Sequence, residues 1–148
     1  MIGTMKIRFK KLSPDAKTPT RGSENAAAYD LTATKVEHEL INGAIVYTIH
    51  TGLAVEIPKG CFGDVRPRSS VYKTAALLSN GCGVIDSDYR GEIMGKFYLI
   101  GNDGGAMYET GERCLQLIIS PMVEVEWTEA ETLTTTERGD GGYGSTGK

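Results

Sequence analysis

No apolar run in the 148-residue chain is longer than four residues, 97–100 being one of them, so no stretch can cross a bilayer as a helix. Cysteine is scarce. Cys61, Cys82 and Cys114 are odd in number and widely spaced, which excludes a disulfide framework and a CxxC half-site for zinc. They read as reduced core residues. The two histidines, His38 and His50, have no ligand partner nearby in sequence and read as solvated strand residues. HExxH and GxSxG are absent, which removes the two commonest hydrolase signatures of zinc and serine enzymes. Neither sign of charge dominates: 16 basic against 19 acidic side chains leave a net charge of −3, too balanced for a protein that coats nucleic acid. Residues 1–12 mix charged and apolar side chains with no apolar block, unlike a secretory signal. These absences predict a cytoplasmic domain with no membrane and no nucleic-acid partner.

What the chain has is glycine. Its 19 glycines are about 13% of the residues against an average of about 7%, and five of them fall in 138–148. The length fits one domain. Apolar and polar residues alternate at 5–9 (Met5, Ile7, Phe9), 53–57 (Leu53, Val55, Ile57) and 123–127 (Val123, Val125, Trp127), the period of a half-buried strand. Residues 44–49, 61–65, 93–100 and 114–119 are further strand candidates. Turn signals separate them: Asn42-Gly43, Pro58-Lys59-Gly60, Asn80-Gly81 and Asn102-Asp103-Gly104-Gly105. Many short strands predict an all-β sandwich or jelly roll. One segment, 71–78, has alanine and leucine at helical spacing behind Ser69 and Ser70, and predicts the one short helix with those serines as caps.

Three apparent motifs fail on context. Residues 139–144 spell GxGxxG, yet the pattern needs a strand before it and a helix after it. Residues 142–148 begin a phosphate-loop pattern without the Ser or Thr that binds magnesium. Residues 86–91 open like a calcium loop, but Arg90 takes the fifth position and Phe97 the twelfth, where a bidentate glutamate is required.

Three segments could carry chemistry. Pro67-Arg68-Ser69-Ser70 leads into the expected helix, where free N–H groups and a guanidinium fork suit a phosphate; an ordinary serine cap with a solvated arginine is the alternative. Asn80 and Gly83-Val84-Ile85 form a glycine-punctuated turn that lets backbone approach a flat ligand, and it runs into Asp86, Asp88 and Tyr89. That stretch offers a base and a stacking ring, or else a hairpin with a charged tip. Arg138 with 139–147 offers backbone N–H groups, the Ser145 and Thr146 hydroxyls and the Tyr143 ring to a polyphosphate and a base, or else a disordered end.

Together these segments resemble the five ordered motifs of the trimeric dUTP diphosphatase (dUTPase) family. Here they read Ala27-Ala28-Tyr29-Asp30-Leu31, Pro67-Arg68-Ser69-Ser70, 83–92 (GVIDSDYRGE), 111–117 (GERCLQL) and 138–147 (RGDGGYGSTG), in the family's order. The resemblance implies a β jelly-roll domain over 1–137 and a mobile glycine-rich lid over 138–148. It also implies a homotrimer whose active sites lie at subunit contacts, and hydrolysis of dUTP to dUMP and pyrophosphate with Mg²⁺. Asp86 matches the general base and Tyr89 the ring under deoxyribose that leaves no room for a 2′-hydroxyl. Asn80 and the backbone of Gly83, Val84 and Ile85 match the readers of the uracil edge, with Met94 lining the same pocket. Arg68, Ser69 and Ser70 match the phosphate cradle, and Gln116 the residue that places phosphate and water. Asp30 matches a carboxylate linked to Mg²⁺ through water. Arg138, Gly144, Ser145 and Thr146 match the outer phosphate clamp, and Tyr143 the cover over the base. Arg113 is left as a phosphate contact or a partner of Glu112. Ser70 stands where the family commonly has glycine, Tyr143 where phenylalanine is more usual, and Leu115 where a smaller residue is usual. Two rivals share the scaffold: a dCTP deaminase, whose chemistry uses a glutamate where this chain has Asp86, and a dUTP-sensing regulatory protein.

Overall fold

Alternation is the organising pattern of the chain, and a computed structural model describes residues 3–100 and 107–143. Among the described residues ten strands run in order: β1 (Arg8–Lys11), β2 (Tyr29–Thr32), β3 (Lys35–Ile41), β4 (Ala44–His50), β5 (Leu53–Glu56), β6 (Cys61–Pro67), β7 (Ala76–Leu78), β8 (Gly83–Ile85), β9 (Met94–Leu99) and β10 (Arg113–Pro121). They form two four-stranded antiparallel sheets, β2-β10-β6-β8 and β3-β4-β9-β7, and a short pair, β1-β5. The inward positions of both large sheets share one apolar core: Leu31, Val65, Leu115 and Leu117 from the first, Ile49, Ala76, Leu78 and Phe97 from the second. This is the all-β, jelly-roll-like layering expected of the alternation.

The turns follow their residues. Asn42 and Gly43 both have positive φ, at 49° and 81°, and link β3 to β4 with Ile41 directly opposite Ala44. That is the two-residue hairpin an Asn-Gly pair favours, because its twist matches that of the strands. The expected turn at 102–105 lies outside the described residues.

Three expectations fail, each because packing outranks local pattern. Residues 71–78 are not a helix. One 3-10 turn covers Ser69–Lys73, and the chain then extends into β7, where Ala76 and Leu78 turn inward and Leu77 outward. An eight-residue helix is marginal alone, whereas β7 gains a ladder with β9, pairing Ala76 with Leu99 and Leu78 with Phe97. Arg68, not a serine, precedes the 3-10 turn, and no side chain caps it. Residues 123–127 alternate like a strand but find no strand partner among the described residues, and Val123, Val125 and Trp127 are exposed. Among the cysteines, only Cys114 is fully buried; Cys61 is half-buried and Cys82 exposed. Desolvation pushes the Cys114 thiol up to about 12, so it stays protonated and unreactive.

The two sheets approach closely at Gly95 on β9. A Cβ there would lie 2.9 Å from Phe97 Cε2 and 3.0 Å from Leu115 Cδ1 on the opposite sheet. Gly95→Val should therefore force the sheets apart and lower stability by about 1–3 kcal/mol, the usual cost of overpacking. A urea midpoint equal to that of the wild type would show that the interface yields freely.

Candidate active site

Strand β10 lies between β2 and β6, with Gln116 opposite Asp30 on one side and Arg66 on the other. This register gathers the first polar cluster. Asp30 receives Arg68 Nε on Oδ1 at 2.8 Å and Arg113 Nη1 on Oδ2 at 2.9 Å. Its side chain is only 11% exposed, so the two guanidinia offset the cost of removing a carboxylate from water. Gln116 Nε2 donates to the Pro67 carbonyl at 2.9 Å, which fixes the residue just before Arg68. Ser69 is exposed and Ser70 half-buried on the 3-10 turn that follows. A single 3-10 turn has little dipole to offer an anion, so what this place presents to solvent for an anion is the Arg68 guanidinium and the serine hydroxyls.

Arg113 thus pairs with Asp30 and not with Glu112, whose Oε2 accepts the Glu109 N–H at 2.8 Å. A bulge makes this possible. Register slips between Arg113 and Leu115, so two consecutive residues, Cys114 and Leu115, are both buried. In a regular strand Arg113 and Gln116 would point to opposite faces; the bulge brings both to Asp30.

The second cluster surrounds a cavity of about 180 Å³ lined by Val65, Leu78, Ser79, Asn80, Gly83, Met94 and Lys96. Its apolar wall is sheet core and its polar rim is Asn80, Ser79 and Lys96. A Cβ on Gly83 would sit 3.5 Å from Val65 Cβ and 3.6 Å from Asn80 Nδ2, taking space beside the asparagine amide. Val84 is exposed, and Ile85 packs against the core, so only its backbone faces outward chemistry. The chain then leaves β8 into a turn in which the Asp86 carbonyl accepts the Tyr89 N–H at 3.1 Å. Asp86 is exposed. The Tyr89 hydroxyl donates to the Glu92 carbonyl at 3.1 Å, and the ring lies over Gly91, where any Cβ would collide with it. Gly91 is therefore required beneath that ring.

The structure gathers Asn80, Gly83 and Met94 in one pocket with Asp86 and Tyr89 on the turn beyond β8, and gathers Asp30, Arg68 and Gln116 in another cluster. No hydrogen bond or ion pair among the described residues joins the two. Among the described residues, the Arg138 side chain makes only a local bond, Nε to the Gly141 carbonyl at 2.9 Å, and Tyr143 is fully exposed. Gly144, Ser145 and Thr146 lie outside the described residues. Sequence reasoning missed Ser79 and Lys96, which no motif marks, and the Asp30–Arg113 pair, which depends on the bulge. Among the described residues, no group of three or more His, Cys, Asp or Glu side chains could hold a metal ion, and no helix is long and apolar enough to cross a membrane.

Residues 14–147 match the dUTPase family. The deoxyuridine 5'-triphosphate nucleotidohydrolase of Nautilia profundicola is 42% identical over 146 residues, covering 97% of this chain and 100% of that protein. The structure of a mutant dUTPase from Staphylococcus bacteriophage 80alpha, solved with dUpNHpp, matches with a TM-score of 0.79 and 27% identity, over 98% of this chain and 100% of that one. A mutant dUTPase from phage phi11 of S. aureus, in which coordination of a structural Mg(II) ion was described, matches with a TM-score of 0.74 and 23% identity, over 88% of this chain and 100% of that one. The chain belongs to the dUTPase family.

Proposed function

We propose that this protein hydrolyses dUTP to dUMP and pyrophosphate, keeping uracil out of DNA and supplying dUMP for thymidylate synthesis. The observation that carries the reading is the pocket of Asn80, Gly83 and Met94 with Asp86 and Tyr89 on the turn that follows β8. A nucleoside seated there would have its base against Asn80 and the Gly83–Ile85 backbone and its sugar over Tyr89. A pocket that fits the nucleoside closely would discriminate by exclusion: an added methyl or hydroxyl gains little attraction and meets filled space.

Asp86 would take a proton from water as the water attacks the α-phosphorus and pyrophosphate leaves. Aspartate carboxylates are weak bases, so orientation and charge stabilisation must supply most of the rate. Arg68 uses Nε on Asp30, which leaves its two Nη groups for phosphate oxygens. Ser69 and Ser70 would add hydroxyl contacts, and Gln116 would place the phosphate and the water.

Mg²⁺ fits this reading only as an ion that arrives with the triphosphate. Asp30 has both oxygens engaged by arginines, but each retains a lone pair that can accept from a metal-bound water. The ion would supply charge neutralisation across the phosphates.

The assembly proposed is a homotrimer in the cytoplasm. Among the described residues the two clusters are unjoined and 138–143 bond to neither, while Val123, Val125, Trp127 and Leu133 lie exposed on the segment leading to Arg138. In the trimer, one subunit supplies Arg68, Ser69, Ser70 and Gln116, and a second supplies Asn80 to Met94. Arg138, Tyr143, Gly144, Ser145 and Thr146 of a third close over the nucleotide. Residues 1–137 would then be the domain and 138–148 its lid.

Pyrophosphate release across dUTP, dTTP, dCTP and UTP tests the substrate. Release confined to dUTP and abolished by a chelator is expected, and equal turnover of UTP removes the role given to Tyr89. Asp86→Asn should bind dUpNHpp normally yet lose at least about two orders of magnitude in kcat, as loss of a general base does; near-full activity would place the base elsewhere. Removal of 138–148 should leave a folded trimer with little turnover, and sedimentation of that variant as a monomer would make the segment structural instead.

A further inference from the structure

His50 ends β4 with a carboxylate at each ring nitrogen. Nδ1 lies 2.9 Å from Glu92 Oε2, and Nε2 lies 2.8 Å from Glu37 Oε1. An ionised carboxylate only accepts hydrogen bonds, so both contacts are satisfied together only when both nitrogens carry protons. The geometry is that of an imidazolium held between two anions. Glu92 is anchored a second time, its Oε1 accepting the Gly52 N–H at 2.7 Å. The next residue is fixed as well: the Ile93 carbonyl accepts the buried Thr51 hydroxyl at 2.6 Å, and its N–H donates to the Leu53 carbonyl at 2.8 Å. The end of the 86–92 turn is thereby tied to the β4–β5 corner by His50, Thr51 and Gly52 in succession.

The Tyr89 hydroxyl bonds to this same Glu92, through its carbonyl. The height of the ring therefore depends on where Glu92 is held. We propose that protonated His50, acting through Glu92, is a positioning residue for Tyr89 and sets how strictly the site rejects a 2′-hydroxyl. The inference rests on the role given to Tyr89 above, and adds that this role is tuned by a proton some way from the substrate.

Among the described residues, the charges facing His50 are few. From β3 come Glu37 and Lys35, the latter bound to Glu37 Oε2 at 2.6 Å. From the turn comes Glu92, while Arg90 is turned to the carbonyls of Ser87 and Tyr89. From β9, Met94 is the register partner, and Lys96 pairs with Glu39 farther along. Burial opposes the charge on His50, but the contacts with Glu92 and Glu37 outweigh it and hold the imidazolium above its ordinary value of 6.5. The sign follows from this direction: the clamp is complete below about 6.5, the ordinary histidine value, and is lost as pH rises through the raised value in the folded protein. A neutral ring can donate to only one of the two carboxylates and turns a lone pair on the other.

The test measures kcat/KM for dUTP and for UTP between about pH 5.5 and 9, alongside an NMR titration of the His50 ring. Taking the ratio cancels pH effects common to both substrates. In the wild type the dUTP/UTP ratio should fall about tenfold, a step the size of one hydrogen bond, with its midpoint at the His50 titration. His50→Gln should show the low alkaline ratio at every pH. Glu37→Gln leaves the Glu92 contact in place, so it should keep the acid-side ratio and move both midpoints together to lower pH; this variant also serves should His50→Gln fail to fold. A ratio that is high but flat in pH, or midpoints that part company in Glu37→Gln, overturns the inference alone. A wild-type enzyme that does not distinguish the sugars at any pH overturns the reading of Tyr89 and this inference with it.

Discussion

One carboxylate holding two guanidinia organises the polar end of this molecule. Asp30 sits on β2, where β2, β10 and β6 run side by side, and its ion pairs with Arg68 and Arg113 tie β2 to the segment that follows β6 and to β10. A lone aspartate this buried would be costly, and two unpaired arginines beside each other would repel. Each charge makes the others tolerable. Arg68 is thereby oriented through Nε before any substrate arrives, which is preorganisation of the kind that electrostatic catalysis needs. The net charge of −3 then poses no conflict with a triphosphate substrate. In the proposed site the attraction would be local, a fork aimed by a buried anion, and would not depend on the field of the whole protein.

The same economy appears at the other cluster, with backbone in place of charge. Gly91 leaves space for the Tyr89 ring. That glycine is a matter of volume, whereas Gly43 serves a positive φ in the hairpin. A glycine-rich composition has several physical causes within one small fold.

Strands were legible where alternation coincided with burial. Residues 44–49 and 114–119 lie within β4 and β10, and Asn42-Gly43 makes the turn its residues predict. Pattern misled where the deciding contact lay far along the chain. The Ala-Leu run at 71–78 looks helical in isolation, yet β9, some twenty residues on, offers Ala76 and Leu78 a ladder and a core. Residues 5–9 alternate, but pairing with β5 starts only at Arg8 because the partner strand ends at Glu56. At the site, contiguous motifs gave Asn80, Asp86 and Tyr89 together. The Asp30–Arg113 bond was hidden by a bulge that reverses the parity of β10. His50 read as a solvated strand residue, and only its contact with Glu92, 42 positions away, shows it to be a paired and half-buried one.

The segment after β10 shows how assembly and chemistry would be coupled in the proposed trimer. The core closes without Val123, Val125, Trp127 and Leu133, so the apolar surface of these residues is left over, with Trp127 91% exposed. Apolar area of this kind is stabilised by about 25 cal/mol per Å² once covered, and a tryptophan is the side chain most able to anchor such a contact. Arg138 follows Trp127 by eleven residues, a reach of at most about 40 Å. Docking the apolar stripe on a neighbour would therefore confine Arg138 and Tyr143 to a volume around that neighbour's surface, raising their effective concentration there without fixing them. The glycines that follow would keep the cost of final ordering high. Closure would then be favourable only when phosphates and a base are present to receive it. An arm anchored by hydrophobic burial and closed by charge would separate the two jobs: the first would hold the assembly, and the second would report the substrate.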